Sequence, residues 1–304
     1  MDGIINVYKE AGFTSHDVVA KLRGICRQKK IGHTGTLDPQ ATGVLPVCLG
    51  SATRACEMLT DRTKEYVAEL LLGKITDTQD TTGTVLEERE VAVDEAQVRE
   101  VIGSFVGGYD QIPPMYSALK VNGKKLYELA RAGKEVERQA RHVDLSAIEI
   151  LEIRLPVVKF RVECSKGTYI RSLCADIGGK LGCGGTMQSL VRTRVGEFRL
   201  TDALTLTQLQ ELRDTGRLEE ALLPTDRIFA DFNAVHVEEK WRKLIDNGNA
   251  FYPGQTMEQT TYPVGEWVRV YREDDSFVGI YAYDGAKEWY KPVKIFPSNT
   301  ESRK

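Results

Sequence analysis

Several features that would identify a particular class of protein are absent from this chain of 304 residues. No apolar run approaches the roughly 18 residues that a membrane-spanning helix needs. Residues 1–9 contain no basic segment followed by an apolar one, so a secretory signal peptide is not expected. The six cysteines include no C-x-x-C pair, which favours reduced, buried thiols over disulfides or zinc ligands. Together these absences predict a cytoplasmic protein without a membrane anchor.

An excess of positive charge is also missing, because 41 Lys and Arg residues face 44 Asp and Glu residues and the net charge is −3. The overall charge therefore does not predict a nucleic-acid-binding protein. Residues 21–30 are a local exception, since they contain no acidic side chain and the basic residues Lys21, Arg23, Arg27, Lys29 and Lys30. Such a run is compatible with a solvated helix face and with a patch that contacts an acidic partner.

Phosphate-binding signatures are absent as well. The chain has no GxGxxG, and the glycines of residues 32–43, GHTGTLDPQATG, are not followed by Lys-Ser or Lys-Thr. This polar loop precedes an apolar run at residues 44–49 that predicts a buried strand. Asp38 is the only acid in the loop, and Pro39 pushes it toward an extended conformation. Loops on buried strands often carry catalytic groups, but the same residue types build ordinary turns, so a structural Asp38 is an open alternative.

Further polar and aromatic groups stand beside predicted elements. Residues 64–73 predict a mostly buried strand that carries Tyr66, for which core packing is the ordinary role. Asp77 and Asp80 follow this strand and are placed to order the next loop. Residues 164–173, CSKGTYIRSL, lead into an apolar helical stripe that stops at Gly182, and Arg171 lies outside that stripe near the helix start.

Residues 111–120, QIPPMYSALK, precede an Asn122-Gly123 pair that is typical of a type I′ hairpin turn. The surrounding segment is basic and contains Lys120, Lys124, Lys125 and Arg131. Lysines of this kind serve as phosphate contacts in RNA-binding proteins and are otherwise ordinary surface residues.

These segments, in this order, resemble the motifs of the TruB family of tRNA pseudouridine synthases. The longest match is GHTGTLDPQATGVLP at residues 32–46, and it is joined by KEY with LGKITDTQD, by QIPPMYSALK and by CSKGTYIRSL. The resemblance extends over nearly the whole catalytic domain of the family. The chain departs from the family where Glu10 replaces the proline after Lys9, and where Val191 and Glu197 replace an arginine and a proline.

The resemblance implies an α+β fold. Residues 1–230 would form a pseudouridine synthase catalytic domain, with a central mixed or antiparallel sheet flanked by helices. Residues 231–304, which are rich in Gly, Tyr and alternating strand patterns, would form a small PUA-like β-barrel that binds RNA. The implied activity is isomerisation of uridine to pseudouridine at position 55 in the T arm of tRNA. The implied partner is the tRNA T stem-loop, with no metal, no cofactor, no membrane and no obligate protein partner.

The resemblance also assigns roles to individual residues. Asp38 is implied to be the catalytic carboxylate, and Arg171 its ionic partner, which lowers the pKa of Asp38 and orients it. Tyr66 is implied to pack against the target base. The remaining residues implied to contact the substrate are His33, Tyr169, Leu190, Lys120 and Lys9, the last as an RNA contact or a structural contact.

The chemistry agrees with a single carboxylate. Conversion of uridine to pseudouridine breaks the N-glycosidic bond and joins C5 to C1′ without redox change, and the uracil never leaves the pocket, so no second acid is needed. Asp38 can attack C1′ or abstract a proton, and the sequence is compatible with both. Two other hypotheses are an RNA-binding or tRNA-folding protein without turnover, and a phosphate-handling hydrolase that requires a metal but not Tyr66.

Overall fold

The computed structural model describes residues 1–121 and 123–297. Its strands, in chain order, are β1 (Gly3–Lys9), β2 (Ile31–His33), β3 (Thr42–Leu49), β4 (Lys64–Leu72), β5 (Lys74–Thr76), β6 (Val85–Glu88), β7 (Gly107–Gln111), β8 (Lys120–Val121), β9 (Lys124–Lys125), β10 (Arg141–Arg154), β11 (Val157–Cys164), β12 (Gly185–Val195), β13 (Phe198–Arg199), β14 (Asn233–Val237), β15 (Trp267–Arg272), β16 (Phe277–Asp284) and β17 (Trp289–Ile295). Its α-helices are α1 (Ser15–Ile25), α2 (Cys56–Thr60), α3 (Glu95–Gly103), α4 (Leu126–Arg131), α5 (Ile170–Lys180), α6 (Leu206–Asp214) and α7 (Arg242–Asp246).

The larger sheet has nine strands, with the main path β1-β3-β12-β4-β11-β10-β7, while β2 pairs with β3 and β13 with β12. All neighbouring pairs are antiparallel except β12 and β3, which run parallel. Helices α1 and α6 pack on β1 and β3, and helices α3 and α5 pack on the β4, β10, β11 and β12 region. The predicted α+β class with a central mixed sheet flanked by helices is therefore confirmed.

Strand β4 shows how the sequence pattern places side chains in this sheet. Its residues alternate between buried and half-buried along its whole length, as expected for a strand with one face in the core. Tyr66, Ala68 and Leu70 lie on the core face and belong to the same apolar cluster as Leu190 of β12. In the register of the two strands, Leu190 is opposite Ala68 and Arg192 is opposite Tyr66.

Helix α1 carries the chain from β1 to the loop that holds Asp38. Thr14 caps it, because its side chain accepts a hydrogen bond from the backbone N–H of Asp17, and the Asp17 side chain accepts one from the backbone N–H of Thr14. The buried residues Val18, Val19, Leu22 and Ile25 form one apolar stripe against the sheet. Arg23 and the basic residues that follow the helix remain on the outside.

The C-terminal unit is a four-stranded sheet in the order β14-β15-β16-β17, with β14 and β15 parallel and the other pairs antiparallel. The prediction of a small C-terminal unit built of β-strands is therefore confirmed. Between β14 and β15, a 3-10 turn (Glu239–Trp241) leads into the five-residue α7. Residues 298–304 of the predicted C-terminal domain, and Asn122 of the predicted hairpin turn, lie outside the described residues, although β8 and β9 pair on either side of that turn.

All six cysteines are free thiols, and five of them are buried. The prediction of reduced, mostly buried cysteines is confirmed. Within residues 1–121 and 123–297, no helix combines the length and apolar character required to span a bilayer.

Candidate active site

The Asp38 loop joins β2 to β3 and is fixed from several directions. The backbone N–H of Leu37 donates to the Ser15 hydroxyl at 2.9 Å, and the Leu37 side chain is buried in the core. The Lys9 ammonium donates to the carbonyl of Pro39 at 3.0 Å. The loop rejoins the sheet at Gly43, which has a φ of +105° and lies so close to β12 that an added Cβ would stand 2.2 Å from the carbonyl oxygen of Arg192. Asp38 is therefore presented by a rigid loop.

Asp38 and Arg171 form a two-point ion pair although they lie 133 residues apart. Arg171 Nε is 3.0 Å from Asp38 Oδ2, and Arg171 Nη2 donates to Asp38 Oδ1 at 3.3 Å. The Arg171 side chain is only 6% exposed, whereas the Asp38 side chain is 37% exposed. This geometry fixes the carboxylate while leaving it open to a reactant.

Arg171 is itself anchored by two neighbouring loops. Its Nη1 donates to the carbonyl of Thr78 at 3.0 Å, and its Nη2 donates to the carbonyl of Tyr116 at 2.8 Å. Asp80 contributes a second carboxylate, whose Oδ2 is 3.9 Å from Arg171 Nη1. The guanidinium therefore joins the β5–β6 loop, the segment before β8 and the Asp38 loop at one point.

The net shift of the Asp38 pKa differs from the sequence-based expectation. Burial raises the pKa of Asp38 above its usual value; the positive charge of Arg171 opposes this, the negative charge of Asp80 adds to it, and Lys9 opposes it. Arg171 thus lowers the pKa of Asp38, as expected from their pairing, but removal of the carboxyl group from water and the nearby Asp80 charge together outweigh it.

Tyr66, Leu190 and Tyr169 surround this pair from different elements. Tyr66 of β4 and Leu190 of β12 are each 8% exposed and share the apolar cluster that contains Leu37 of the Asp38 loop. Burial raises the pKa of Tyr66, so its ring is a neutral, largely apolar surface at neutral pH. Tyr169 occupies the residue before α5, two positions from Arg171. The sheet register and the start of α5 thus bring three predicted residues to one region.

Three predicted residues, His33, Lys120 and Lys9, lie outside this group. His33 is half-buried on β2, its Nδ1 accepts from the backbone N–H of Gly35 at 3.3 Å, and burial together with the positive charge of Arg192 lowers its pKa. Lys120 is exposed on β8, in the basic hairpin.

Lys9 is positioned to brace the loop and is not positioned to contact RNA. It is fully buried, and its ammonium donates to the carbonyls of Glu10 at 3.1 Å and Pro39 at 3.0 Å, and to that of Phe13 as well. Burial lowers its pKa to about 8. Of the two roles expected for Lys9, this geometry corresponds to the structural one.

Sequence reasoning missed Arg192, which is only 2% exposed. Its Nε donates to the carbonyl of Val44 at 2.7 Å, and its two terminal nitrogens reach the carbonyls of Thr36 and Gly35 at 3.5 and 3.4 Å. It therefore ties β12 to both ends of the catalytic loop. The signal that could have revealed it is the alternation of β12, which puts Arg192 on the same buried face as Leu190.

Gln111 is a second residue that sequence reasoning missed. It is 1% exposed, and its amide makes two hydrogen bonds to the backbone of Tyr169: Oε1 accepts from the N–H at 2.7 Å, and Nε2 donates to the carbonyl at 3.0 Å. The neighbouring Ser172 hydroxyl donates to the carbonyl of Ile112 at 3.1 Å. The start of α5, which carries Arg171, is thus clamped to residues 111–112.

Comparison with known families gives consistent matches over this site. The model for the TruB family pseudouridylate synthase (N terminal domain) matches residues 23–170, and that for the tRNA pseudouridylate synthase B C-terminal domain matches residues 171–230. Similar curated proteins include the tRNA pseudouridine synthase B of Lachnoclostridium phytofermentans, which is 53% identical over 97% of this chain and 100% of the relative. That of Alkaliphilus oremlandii is 49% identical over 97% of both chains.

Two solved structures share the fold over nearly the whole chain. An H/ACA RNP bound to a substrate RNA containing 2′-deoxyuridine includes a chain that is 27% identical, with a TM-score of 0.73 and coverage of 97% of this chain and 84% of that one. A chain of a Cbf5-Nop10-Gar1 complex is 29% identical, with the same TM-score and the same coverage.

Proposed function

Because this chain belongs to the TruB family of pseudouridylate synthases, we propose that it isomerises uridine to pseudouridine in tRNA, with position 55 of the T arm as its target. The single observation that carries this proposal is the two-point Asp38–Arg171 ion pair beside Tyr66 and Leu190. A fixed carboxylate next to a flat apolar surface is what uridine isomerisation requires.

The reaction begins with an ionised Asp38. The carboxylate attacks C1′ of the target nucleoside or removes a proton from its sugar, and the bond between C1′ and N1 breaks. The detached uracil turns within the pocket and its C5 bonds to C1′; in the first route this breaks the bond between Asp38 and C1′, and in the second Asp38 returns the proton to the sugar. The proton on C5 is then released to solvent, and N1 takes one up. Both routes need the charged form of Asp38, and Arg171 holds that form in one orientation through two contacts.

The target base must leave the RNA stack before Asp38 can reach its sugar, at a cost of a few kcal/mol. Tyr66 and Tyr169 offer aromatic surfaces for the flipped base, and stacking of this kind contributes roughly 1–3 kcal/mol per base. Leu190 closes the apolar side of the pocket. We assign His33, whose pKa is lowered by burial, to the support of the RNA loop that the base has left.

The RNA-binding surface extends beyond the pocket in this proposal. The exposed Lys120 on the β8–β9 hairpin is assigned to backbone phosphates of the T stem-loop. Residues 1–230 form the catalytic domain, and residues 231–304 form a PUA-like domain that adds RNA contacts. The reaction takes place in the cytoplasm, which is supported by the six unpaired cysteines, and it needs neither a metal nor a cofactor.

The test is release of tritium from an unmodified tRNA transcript labelled at uridine C5, assayed without added metal or cofactor. The protein should release tritium, and Asp38→Asn should bind the RNA without releasing it, because the substitution keeps the shape and removes the charge. A transcript with cytidine at position 55 should be inert. Turnover by pure Asp38→Asn protein would contradict the catalytic role of Asp38.

The same assay separates the two rival functions. Tight binding by the unaltered protein without tritium release would favour an RNA-binding or tRNA-folding protein without turnover. A strict metal requirement, with full activity retained in Tyr66→Leu, would favour the phosphate-handling hydrolase.

A further inference from the structure

A pocket of about 430 Å³ lies beside the catalytic loop, on the side of β2 that faces α1. Its lining comes from three separate pieces of chain: α1, residues 29–33, which include β2, and Thr53 with Cys56 around the start of α2. The residues that give it chemical character are His16, Arg23, Lys29, Lys30, His33 and Cys56. None of the residues that line it is acidic.

The three permanent cations of this pocket have no ionic partners within the described residues. Arg23, Lys29 and Lys30 are exposed, and no hydrogen bond or ion pair joins any of their side chains to a carboxylate in that part of the chain. Some exposed arginines elsewhere are paired with an acid, as Arg161 is with Glu149 and Arg217 with Glu220. Like charges collected around one concave surface repel one another, and a polyanion placed there would remove that repulsion.

We propose that this pocket, called here the basic pocket, binds backbone phosphates of the RNA next to the target loop. This inference rests on the proposed function and extends it from the reacting nucleotide to the strand around it. His33 belongs both to the lining of the basic pocket and to the strand that leads into the Asp38 loop. An RNA strand that places its target base at Asp38 therefore continues past the basic pocket.

The distribution of the charges fits a strand of RNA better than a single small anion. Arg23 lies on α1, whereas Lys29 and Lys30 follow it, so their flexible side chains approach the pocket from different elements. Flexible lysines act as adjustable contacts to successive phosphates, and such contacts fix the position of an RNA without reading its sequence. Their loss should therefore weaken RNA binding much more than it slows the chemical step.

The first test measures turnover of an isolated T stem-loop by Arg23→Gln, by Lys29→Gln/Lys30→Gln and by the triple variant, over a range of salt concentrations. Each removed charge should lower the slope of log affinity against log salt by about 1, with KM raised severalfold and kcat much less affected. Arg154→Gln is the matched control, because Arg154 is an exposed arginine on β10 that pairs with Glu152. A triple variant with the KM and salt slope of the Arg154→Gln control would overturn the proposal.

The second test reads occupancy of the basic pocket directly through Cys56, which lines it and is the one partly exposed cysteine. A hydrogen bond from the Cys48 thiol lowers the pKa of Cys56, which favours its alkylation by iodoacetamide. Saturating T stem-loop should slow alkylation of Cys56, as measured by mass spectrometry, and should not protect it in the triple variant at the same RNA concentration. Unchanged alkylation of the unaltered protein under bound RNA would overturn the proposal.

The outcomes for the basic pocket and for the proposed function are separable. Tritium release by the unaltered protein tests isomerisation without reference to the pocket, and Cys56 protection tests the pocket without any turnover. If the charge variants weaken binding of intact tRNA but leave the isolated T stem-loop unaffected, the pocket contacts a distant part of tRNA, and its placement next to the target loop is wrong.

Discussion

Arg171 holds Asp38 by geometry as much as by charge. Its Nε and Nη2 contact the two carboxylate oxygens, while Nη1 and Nη2 also reach the carbonyls of Thr78 and Tyr116. A lysine keeps the positive charge but has a single nitrogen, which cannot make these contacts together. The orientation of Asp38 therefore depends on the planar guanidinium.

We expect Arg171→Lys to lower kcat on the order of 100-fold, because small misplacements of a catalytic group have effects of this size. RNA affinity should change little. Single-turnover tritium release and equilibrium binding check the two parts, with Arg161→Lys, an exposed ion-paired arginine, as the control. Near-normal turnover of Arg171→Lys would refute the role of the two-point pair.

Asp80 provides a prediction about pH. In the proposed mechanism catalysis needs ionised Asp38, whose pKa is raised mainly by burial, so we expect activity to be lost as the pH falls through that raised value. The negative charge of Asp80 contributes to the rise. Asp80→Asn removes this charge but keeps the Oδ1 acceptor that binds the backbone N–H of Thr82 at 2.9 Å.

In Asp80→Asn the pKa of Asp38 should therefore fall, and the acid limb of kcat/KM should move to lower pH. The control is Asp77→Asn, since Asp77 also orders this loop, through the Thr84 N–H, but does not contribute to the Asp38 shift. An acid limb that moves equally in both variants, or moves upward in Asp80→Asn, contradicts this explanation.

The roles of individual site residues could be predicted from the sequence only in part, and the burial of two cations was not predicted. Asp38 and Arg171 stand in motifs whose resemblance to a family indicates their roles, although no local pattern shows that they touch. Lys9 and Arg192 are buried against backbone carbonyls, and residue type alone does not distinguish such a cation from a surface one. For Arg192 the alternation of β12 is the one local signal. Their role in bracing the catalytic loop becomes visible only with the strand register.

At the scale of elements, the end of β7 holds the start of α5 in place through hydrogen bonds. Gln111, the last residue of β7, closes two hydrogen bonds on the backbone of Tyr169. Helix α5 has no side-chain cap of its own at Tyr169, so this amide takes the place of a cap. The orientation of Arg171 thus depends on an element that is far away in sequence.

We expect Gln111→Ala to destabilise the protein by about 1–3 kcal/mol, because it removes two hydrogen bonds to the backbone of Tyr169 at roughly 0.5–1.5 kcal/mol each, although the Tyr169 carbonyl keeps the N–H of Leu173 as a partner. It should also lower kcat at saturating RNA, since the start of α5 loses its clamp. Urea unfolding and single-turnover kinetics measure the two effects. Gln188→Ala, which removes an exposed amide bound to Glu69, should change neither, and equal behaviour of the two variants would contradict the clamp.

Local patterns predicted most single elements but not their arrangement. The buried strand predicted at residues 64–73 corresponds to β4, and the apolar helical stripe predicted before Gly182 corresponds to α5. The five-residue α7 has no such signal, because a polar segment of that length has no periodicity to measure. The order of strands in the main sheet depends on pairings between distant residues, for which the sequence contains no local signal.

At the scale of the whole molecule, the two sheets share one apolar cluster. Ile280 and Phe296 of the C-terminal unit pack in the same cluster as Val44 and Cys48 of β3, the strand that follows the catalytic loop. Arg54 adds a polar tie, because its Nη1 donates to the carbonyl of Ile295 at 2.9 Å. The C-terminal unit is therefore part of the support of the active site.

We expect both units to unfold in urea as one transition. The three tryptophans all lie beyond residue 240, so their fluorescence reports the C-terminal unit, while loss of tritium release reports the catalytic one. Ile280→Ala should lower the free energy of unfolding by about 2–5 kcal/mol in both measurements, because it opens a cavity in the shared cluster. Val293→Ala, at a 39% exposed position, is the control, and separate transitions for the two signals would contradict the shared core.

The separation of 133 residues between Asp38 and Arg171 also determines when, during translation, the ion pair can form. At translation rates of about 5–20 residues per second, the ribosome needs roughly 7 to 27 s to pass from one to the other. During this interval the Asp38 loop lacks its arginine, and β3 lacks its neighbour β12. In the proposed mechanism the nascent chain therefore cannot isomerise uridine until most of the larger sheet has emerged.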